Sequence, residues 1–102
     1  MVGLLCRETI ITLAQTVYDP QKHPIVDDIK ISKTDAKRML EAYITVELSG
    51  SSNEALRKYA KSTLDLANEL IHKRTASKKD SALCSTATLS LINFIGTIEG
   101  RI

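Results

Sequence analysis

The sequence predicts an all-α protein: a compact four-helix bundle with helices at about residues 3–17, 33–49, 53–73 and 78–99. Three observations predict it. Apolar residues recur at steps of three and four in four separate stretches, the spacing that lines up side chains on one face of a helix. Hydroxyl and acidic residues stand three apart in front of later stretches, in the pattern of a helix start. The only alternating segment, Ile29-Lys30-Ile31, has no second strand to pair with. At 102 residues the chain reads as a single helical domain, 1–102, one core's worth of protein. A chain of that size buries roughly two thirds of its unfolded surface and requires neither metal nor disulfide to fold. Aromatic residues are 4% and tryptophan is absent, so the core must be mostly aliphatic. A formal charge of +2 does not by itself imply a nucleic-acid partner, so any such surface has to come from local clustering.

The first helix, about 3–17, takes Leu5, Ile10, Ile11, Leu13, Ala14 and Val17 as its apolar positions. It starts close to the first methionine without a cap, as expected of a domain excised from a longer protein. Residues 18–31 follow as an ordered loop. Pro20 and Pro24 each remove a backbone donor and push the preceding residue toward extended geometry, which forbids a continuous helix. His23, Asp27 and Asp28 read there as solvated loop residues rather than an acid–base cluster, because no partner lies at a defined helical spacing.

Ser32-Lys33-Thr34-Asp35 has the form of a capping box for the second helix, whose face is Ala36, Met39, Leu40, Tyr43, Ile44 and Val46. Gly50 is placed to stop it. Ser51-Ser52-Asn53-Glu54 repeats the capping pattern. The third helix behind it should face inward with Leu56, Tyr59, Ala60, Thr63, Leu64, Leu66, Ala67, Leu70 and Ile71. The short link predicts an antiparallel hairpin of the second and third helices. Ser77-Lys78-Lys79-Asp80 is a third capping box. The helix it opens is apolar almost all round, with Leu83, Ala87, Leu91, Phe94, Ile95 and Ile98 on one face. Such a helix is central in its bundle or covered by a second subunit, so the expected partner is a second copy, a homodimer through the 78–99 helix.

Cys6 and Cys84 lie far apart in sequence with no CxxC pair, which predicts two buried small residues and neither metal nor redox chemistry. Arg7 and Glu8 interrupt the apolar start before a signal-peptide core forms. From Ala82 to Ile98 the chain has no charge, yet its serines, threonines and Asn93 make it too polar for a confident membrane span. No membrane association is expected, and the predicted location is cytoplasmic. No cofactor and no metal is expected.

The polar stripe of the third helix, Lys58, Lys61, Asp65, Asn68 and His72, ends at a basic turn carrying Lys73, Arg74, Lys78 and Lys79. Amide, imidazole and cations gather there, where a phosphate or a neighbouring chain can meet them. Helix-end capping by His72, Lys73 and Arg74 is the competing structural reading, since a helix C-terminus favours cations and offers orphan carbonyls. No aromatic residue interleaves the cations, so stacking on single-stranded bases is not part of the expectation.

Asn68-Glu69-Leu70-Ile71-His72, at the end of one amphipathic helix and before a capped apolar one, resembles the NxxxH half of the HEPN motif. The run from Leu66 to Thr88 is also similar to the tail of uncharacterised bacterial proteins with a His-Lys-Arg-Thr-Ala turn and an Ala-Leu-Cys helix. HEPN domains are compact helical units, frequently dimeric, of bacterial toxin, antitoxin and antiviral systems and of RNA-processing proteins. In active members an arginine stands immediately before the position matched here by Asn68, and works with the histidine across a dimer interface to cleave RNA without a metal. This chain has Ala67 there. The resemblance therefore implies a non-catalytic interaction module, which dimerises and binds RNA, nucleotide or a protein partner through Asn68, His72, Lys73, Arg74, Lys78 and Lys79. The alternatives are a metal-independent ribonuclease with His72 as its catalytic residue, and a structural helical appendage of a larger defence protein.

Overall fold

A computed structural model describes residues 2–23, 35–73 and 77–100. These form four α-helices, α1 (Val2–Val17), α2 (Ala36–Glu47), α3 (Glu54–Ile71) and α4 (Lys78–Ile98), with a single 3-10 turn at Ser51–Asn53 and no strand among the described residues. The all-α bundle expected from the spacing is what the chain forms. The segment 24–34, including most of the expected Ser32 capping box, lies outside the described residues.

The direction of each helix follows from a few cross-links. Arg57 Nη1 donates to the Leu48 carbonyl at 2.6 Å and also to that of Gly50, and Lys37 meets Asp65 at 3.5 Å, so α3 runs back along α2 as the short link predicted. Beyond the end of α1, His23 meets Glu47 at the end of α2, and Tyr43 of α2 meets Glu99 at the end of α4. Helices α1, α2 and α4 therefore run one way and α3 the other. The sequence leaves residues 18–35 between α1 and α2, in contrast to the short links on either side of α3.

Among the described residues the main buried cluster is aliphatic apart from Met39 and Tyr43. Leu40, Tyr43, Ile44, Leu64, Leu91 and Ile95 are buried almost completely, and Ala14, Ala60 and Ala67 are at 0% exposure, small side chains that let the helices approach closely. Several inward positions differ from expectation. In α1 the buried series is Cys6, Ile10 and Ala14, while Leu5 is 67% exposed. In α3 only Ala60, Leu64 and Ala67 are buried, and Leu56, Tyr59 and Leu66 are exposed. In α4 the inner stripe is Cys84, Ala87, Thr88, Leu91 and Ile95, with Leu83 outside. The sequence marks a wide apolar arc on each helix, but a four-helix bundle has neighbours enough to cover only part of it.

The helix starts differ as well. Ser77 and Asp80 form the predicted capping box, with Asp80 N–H donating to Ser77 Oγ at 3.1 Å and Ser77 N–H to Asp80 Oδ2 at 3.0 Å. Asn53 does not cap α3 through its side chain; its Nδ2 donates backward to the Ser49 carbonyl at 3.0 Å. Gly50 has φ of +97°, a conformation that favours glycine, and breaks the chain direction after α2. By length and composition α4 is also long and apolar enough to cross a membrane, with a mean hydropathy of 1.4; here it packs along α1 and α3.

Candidate functional site

The last turn of α3 exposes backbone carbonyls that no further helical amide can reach. His72 fills the gap: its N–H donates to the Asn68 carbonyl at 3.2 Å, and its ring Nδ1 lies 2.7 Å from the same oxygen. A carbonyl only accepts, so Nδ1 carries the proton. Acid–base or ligand chemistry at His72 therefore runs through Nε2. The imidazole is at once the cap of α3 and a side chain held in one orientation.

Asn68 and His72 line one cleft of about 320 Å³ between α1, α2 and α3. Its apolar lining comes from Ile10, Ile11, Leu64 and Ile71, and its polar groups from Arg7, Asp35, Lys37, Asn68 and His72. The cations are held loosely. Arg7 meets Glu8 at 3.3 Å and Lys37 meets Asp65 at 3.5 Å, in exposed pairs of a kind worth at most about 1 kcal/mol. Asp35 is turned toward Arg38 at 3.5 Å.

The other predicted residues lie apart from that cleft. Lys73 Nζ pairs with Asp80 Oδ2 at 3.0 Å, bridging the α3–α4 turn. The Ser77 backbone amide, then Lys73, then the Ser77 hydroxyl hold the Asp80 carboxyl below the usual range. Lys78 and Lys79 are exposed in the first turn of α4. Arg74 lies outside the described residues. The cluster drawn from sequence thus divides into a cleft pair, Asn68 and His72, and a turn group, Lys73, Lys78 and Lys79, of which none lines the cleft. Ala67, the position before Asn68, is fully buried.

A second polar group went unforeseen. His23 is buried at 1% exposure and not solvated. The turn after α1 brings it in: Asp19 accepts from the Lys22 and His23 amides at 3.1 and 2.7 Å, and its side chain accepts from Gln21 N–H at 3.0 Å. His23 Nδ1 accepts from Asp19 N–H at 2.9 Å, so the ring proton sits on Nε2, which donates to Glu47 Oε2 at 2.9 Å. Lys22 Nζ reaches the same oxygen at 3.0 Å. These contacts, His23 first, hold the Glu47 carboxyl below its ordinary range, and the Glu47 hydrogen bond raises Lys22 above its own. Tyr18 and Tyr43 flank the ring, with centroids 6.0 and 5.1 Å away, and Tyr43 donates to Glu99 Oε2 at 2.6 Å. Both His23 nitrogens are engaged, which makes the group a structural latch. Its only sequence signal was the Asp19-Pro20 turn start.

Among the described residues no three His, Cys, Asp or Glu side chains gather as metal ligands would. No protein family matches the chain, and no curated protein or solved structure is significantly similar to it.

Proposed function

We propose that this domain is a non-catalytic, HEPN-like binding module that pairs with a second copy of itself and takes a phosphate-bearing ligand, RNA or nucleotide, at the end of α3. The observation that carries the reading is the shared cleft: Asn68 and His72 stand on one side, and Arg7 and Lys37 supply cations from α1 and α2. An amide, an imidazole with one nitrogen held by a carbonyl and two weakly engaged cations suit phosphate oxygens. The basic first turn of α4, with Lys78 and Lys79 at the positive helix end, extends the same preference. Ala67 supports the non-catalytic form. A position sealed in the core offers no room for the arginine that active HEPN members carry.

The second copy is assigned to the outer face of α4. No charge interrupts Ala82 to Ile98, Leu83 and Leu89 are exposed at 45% and 59%, and Leu89 shares a shallow groove with Tyr59 of α3. The hydroxyls on this face are already engaged: Thr86 donates to Ala82 O at 3.0 Å, Thr97 to Asn93 O at 2.8 Å, and Ser90 Oγ lies 2.6 Å from the Tyr59 hydroxyl. Covering the face therefore leaves few polar groups without partners.

The test is a titration of labelled single-stranded RNA and, separately, of ATP against wild type, His72→Ala and Lys37→Ala, with circular dichroism to establish folding. Binding that weakens several-fold in both variants, with a salt slope reduced by about one for Lys37→Ala, is the expected result. Affinities unchanged by both substitutions would return the corner to a helix-end role within a structural appendage. Chelator-resistant RNA cleavage abolished in His72→Ala would establish the ribonuclease alternative, with Nε2 as the general acid–base.

A further inference from the structure

Two stripes run side by side on the outside of the α3–α4 pair, and both keep the three-then-four step of a coiled-coil seam. On α3 the stripe is Leu56, Tyr59, Thr63, Leu66 and Leu70; on α4 it is Leu83, Thr86, Ser90, Asn93 and Thr97. Neither holds a charge. The Tyr59 hydroxyl lies 2.6 Å from Ser90 Oγ, and the two helices run in opposite directions, so equal steps from that point set Leu66 level with Leu83 and Leu56 level with Asn93. The stripes differ in relief. Leu56, Tyr59 and Leu66 stand out from α3 at 44%, 50% and 46% exposure, as a ridge. On α4 the short side chains of Thr86, Ser90, Asn93 and Thr97 line a shallow groove, with Tyr59 and Leu89 beside them.

A ridge and a groove that lie parallel on one face fit each other when that face meets a copy of itself. A two-fold axis along the helices makes the fit twice, because each ridge residue then meets a groove residue of the other copy. It also preserves helix direction, so α3 lies antiparallel to the second copy's α4 as it does to its own, the arrangement of an antiparallel four-helix bundle.

We propose that the second copy docks on the joint outer face of α3 and α4 about such an axis, with its Leu56 and Tyr59 in the α4 groove and its Leu66 against Leu83. This rests on the pairing assigned above to α4 and extends it to α3. Area requires the extension. A stable interface buries about 800 Å² on each partner. One helix about 10 Å wide offers about 270 Å² of footprint over the roughly 27 Å that the 18 residues of α3 span, far too little. The two helices together double that footprint, and interlocking side chains bury more surface than a flat footprint. Polar cost is small: Thr63 donates to the Tyr59 carbonyl at 2.8 Å, so its hydroxyl is engaged like those of Thr86, Ser90 and Thr97.

The docking also decides where the clefts point. Asn68 follows Tyr59 by nine residues, about two and a half turns, and therefore stands on the opposite side of α3 from the ridge. Its cleft is shared with α1 and α2 and with no residue of α4. The two clefts of the pair accordingly face outward and apart, each copy takes its own ligand, and no site is assembled from both His72 side chains.

The experiment measures the wild-type mass by light scattering, then mixes the Leu66→Cys chain with the Leu83→Cys chain under mild disulfide-forming conditions. Wild type, whose own Cys6 and Cys84 are buried, is the blank. A dimeric wild type is expected, with several-fold more linked dimer from the mixture than from Leu66→Cys alone, and none above the blank from His72→Cys. Leu66→Lys should be monomeric with an unchanged circular dichroism spectrum. A monomeric wild type would remove the α4 pairing and this docking together. A dimer that survives Leu66→Lys, or that links Leu66→Cys to itself as readily as to Leu83→Cys, would overturn the docking on α3 and leave the α4 pairing in place. Efficient linking through His72→Cys would bring the clefts to the interface and overturn their outward setting.

Discussion

At the residue scale, the two histidines part company: His72 is exposed at the end of α3, where the sequence set it, whereas His23, read as solvated, is buried. His72 follows a polar stripe and precedes a basic turn, and its side chain does reach the rim of a cleft, but its clearest bond is to its own helix. His72→Ala should destabilise the fold by only about 0.5 kcal/mol, the scale of a helix-end interaction at an exposed site, as read by urea unfolding. A larger loss would mean that the ring supports more than the end of α3. His23 sits between two prolines, yet it is the buried one. Glu47→Ala strips its Nε2–H of an acceptor inside the protein, which should cost about 1–3 kcal/mol. The same carboxylate carries a pH dependence. Its folded-state ionisation lies below the unfolded value, so its contribution is present above the ordinary carboxylate range and is lost as pH falls through the lower, folded value. Between neutral pH and about pH 3, the urea midpoint of wild type should fall more steeply than that of Glu47→Ala. Parallel slopes would show that the ion pair contributes nothing.

At the element scale, capping separates two starts that look alike in sequence. Ser77 and Asp80 close a reciprocal box, whereas Asn53 turns its amide back to Ser49 and leaves α3 to begin from a 3-10 turn. Ser77→Ala is therefore expected to lower stability by about 1 kcal/mol, and Asn53→Ala by less than about half of that, measured as paired thermal melts. Equal losses would mean that α3 relies on a cap after all. The elements themselves were legible because their apolar spacing is local: the ends of α1 and α4 fall within one residue of expectation, and α3 within two. What local spacing could not show is which slice of each apolar arc faces inward. Leu5, Leu56 and Leu83 had the right period and the wrong side, because the neighbour that selects the slice lies elsewhere in the chain.

At the scale of the whole molecule, the outer face of α4 should tolerate charge and the inner face should not. Leu89→Lys is expected to leave the melting temperature nearly unchanged while converting a dimeric solution mass, by light scattering, to a monomeric one. A wild-type monomer would remove the proposed pairing altogether. Leu91→Ala, two positions away and fully buried, should cost about 2–5 kcal/mol whatever the mass. On the proposed pairing, the same helix would separate assembly from folding by a rotation of two residues.

By itself the sequence determined the number and kind of the elements, the turn chemistry at Gly50 and Ser77, and the placing of Asn68 and His72 one turn apart, because hydrogen bonds and side-chain neighbours within a helix span only three or four residues. Only the tertiary structure decided the parallel course of α1, α2 and α4, and with it everything that depends on distant parts of the chain meeting. His23 finds Glu47, Tyr43 finds Glu99, and Arg7 and Lys37 join Asn68 and His72 at one cleft. Those meetings are set by which helices pack together and in which direction. That choice rests on burial summed over the whole core, and no stretch of sequence contains it.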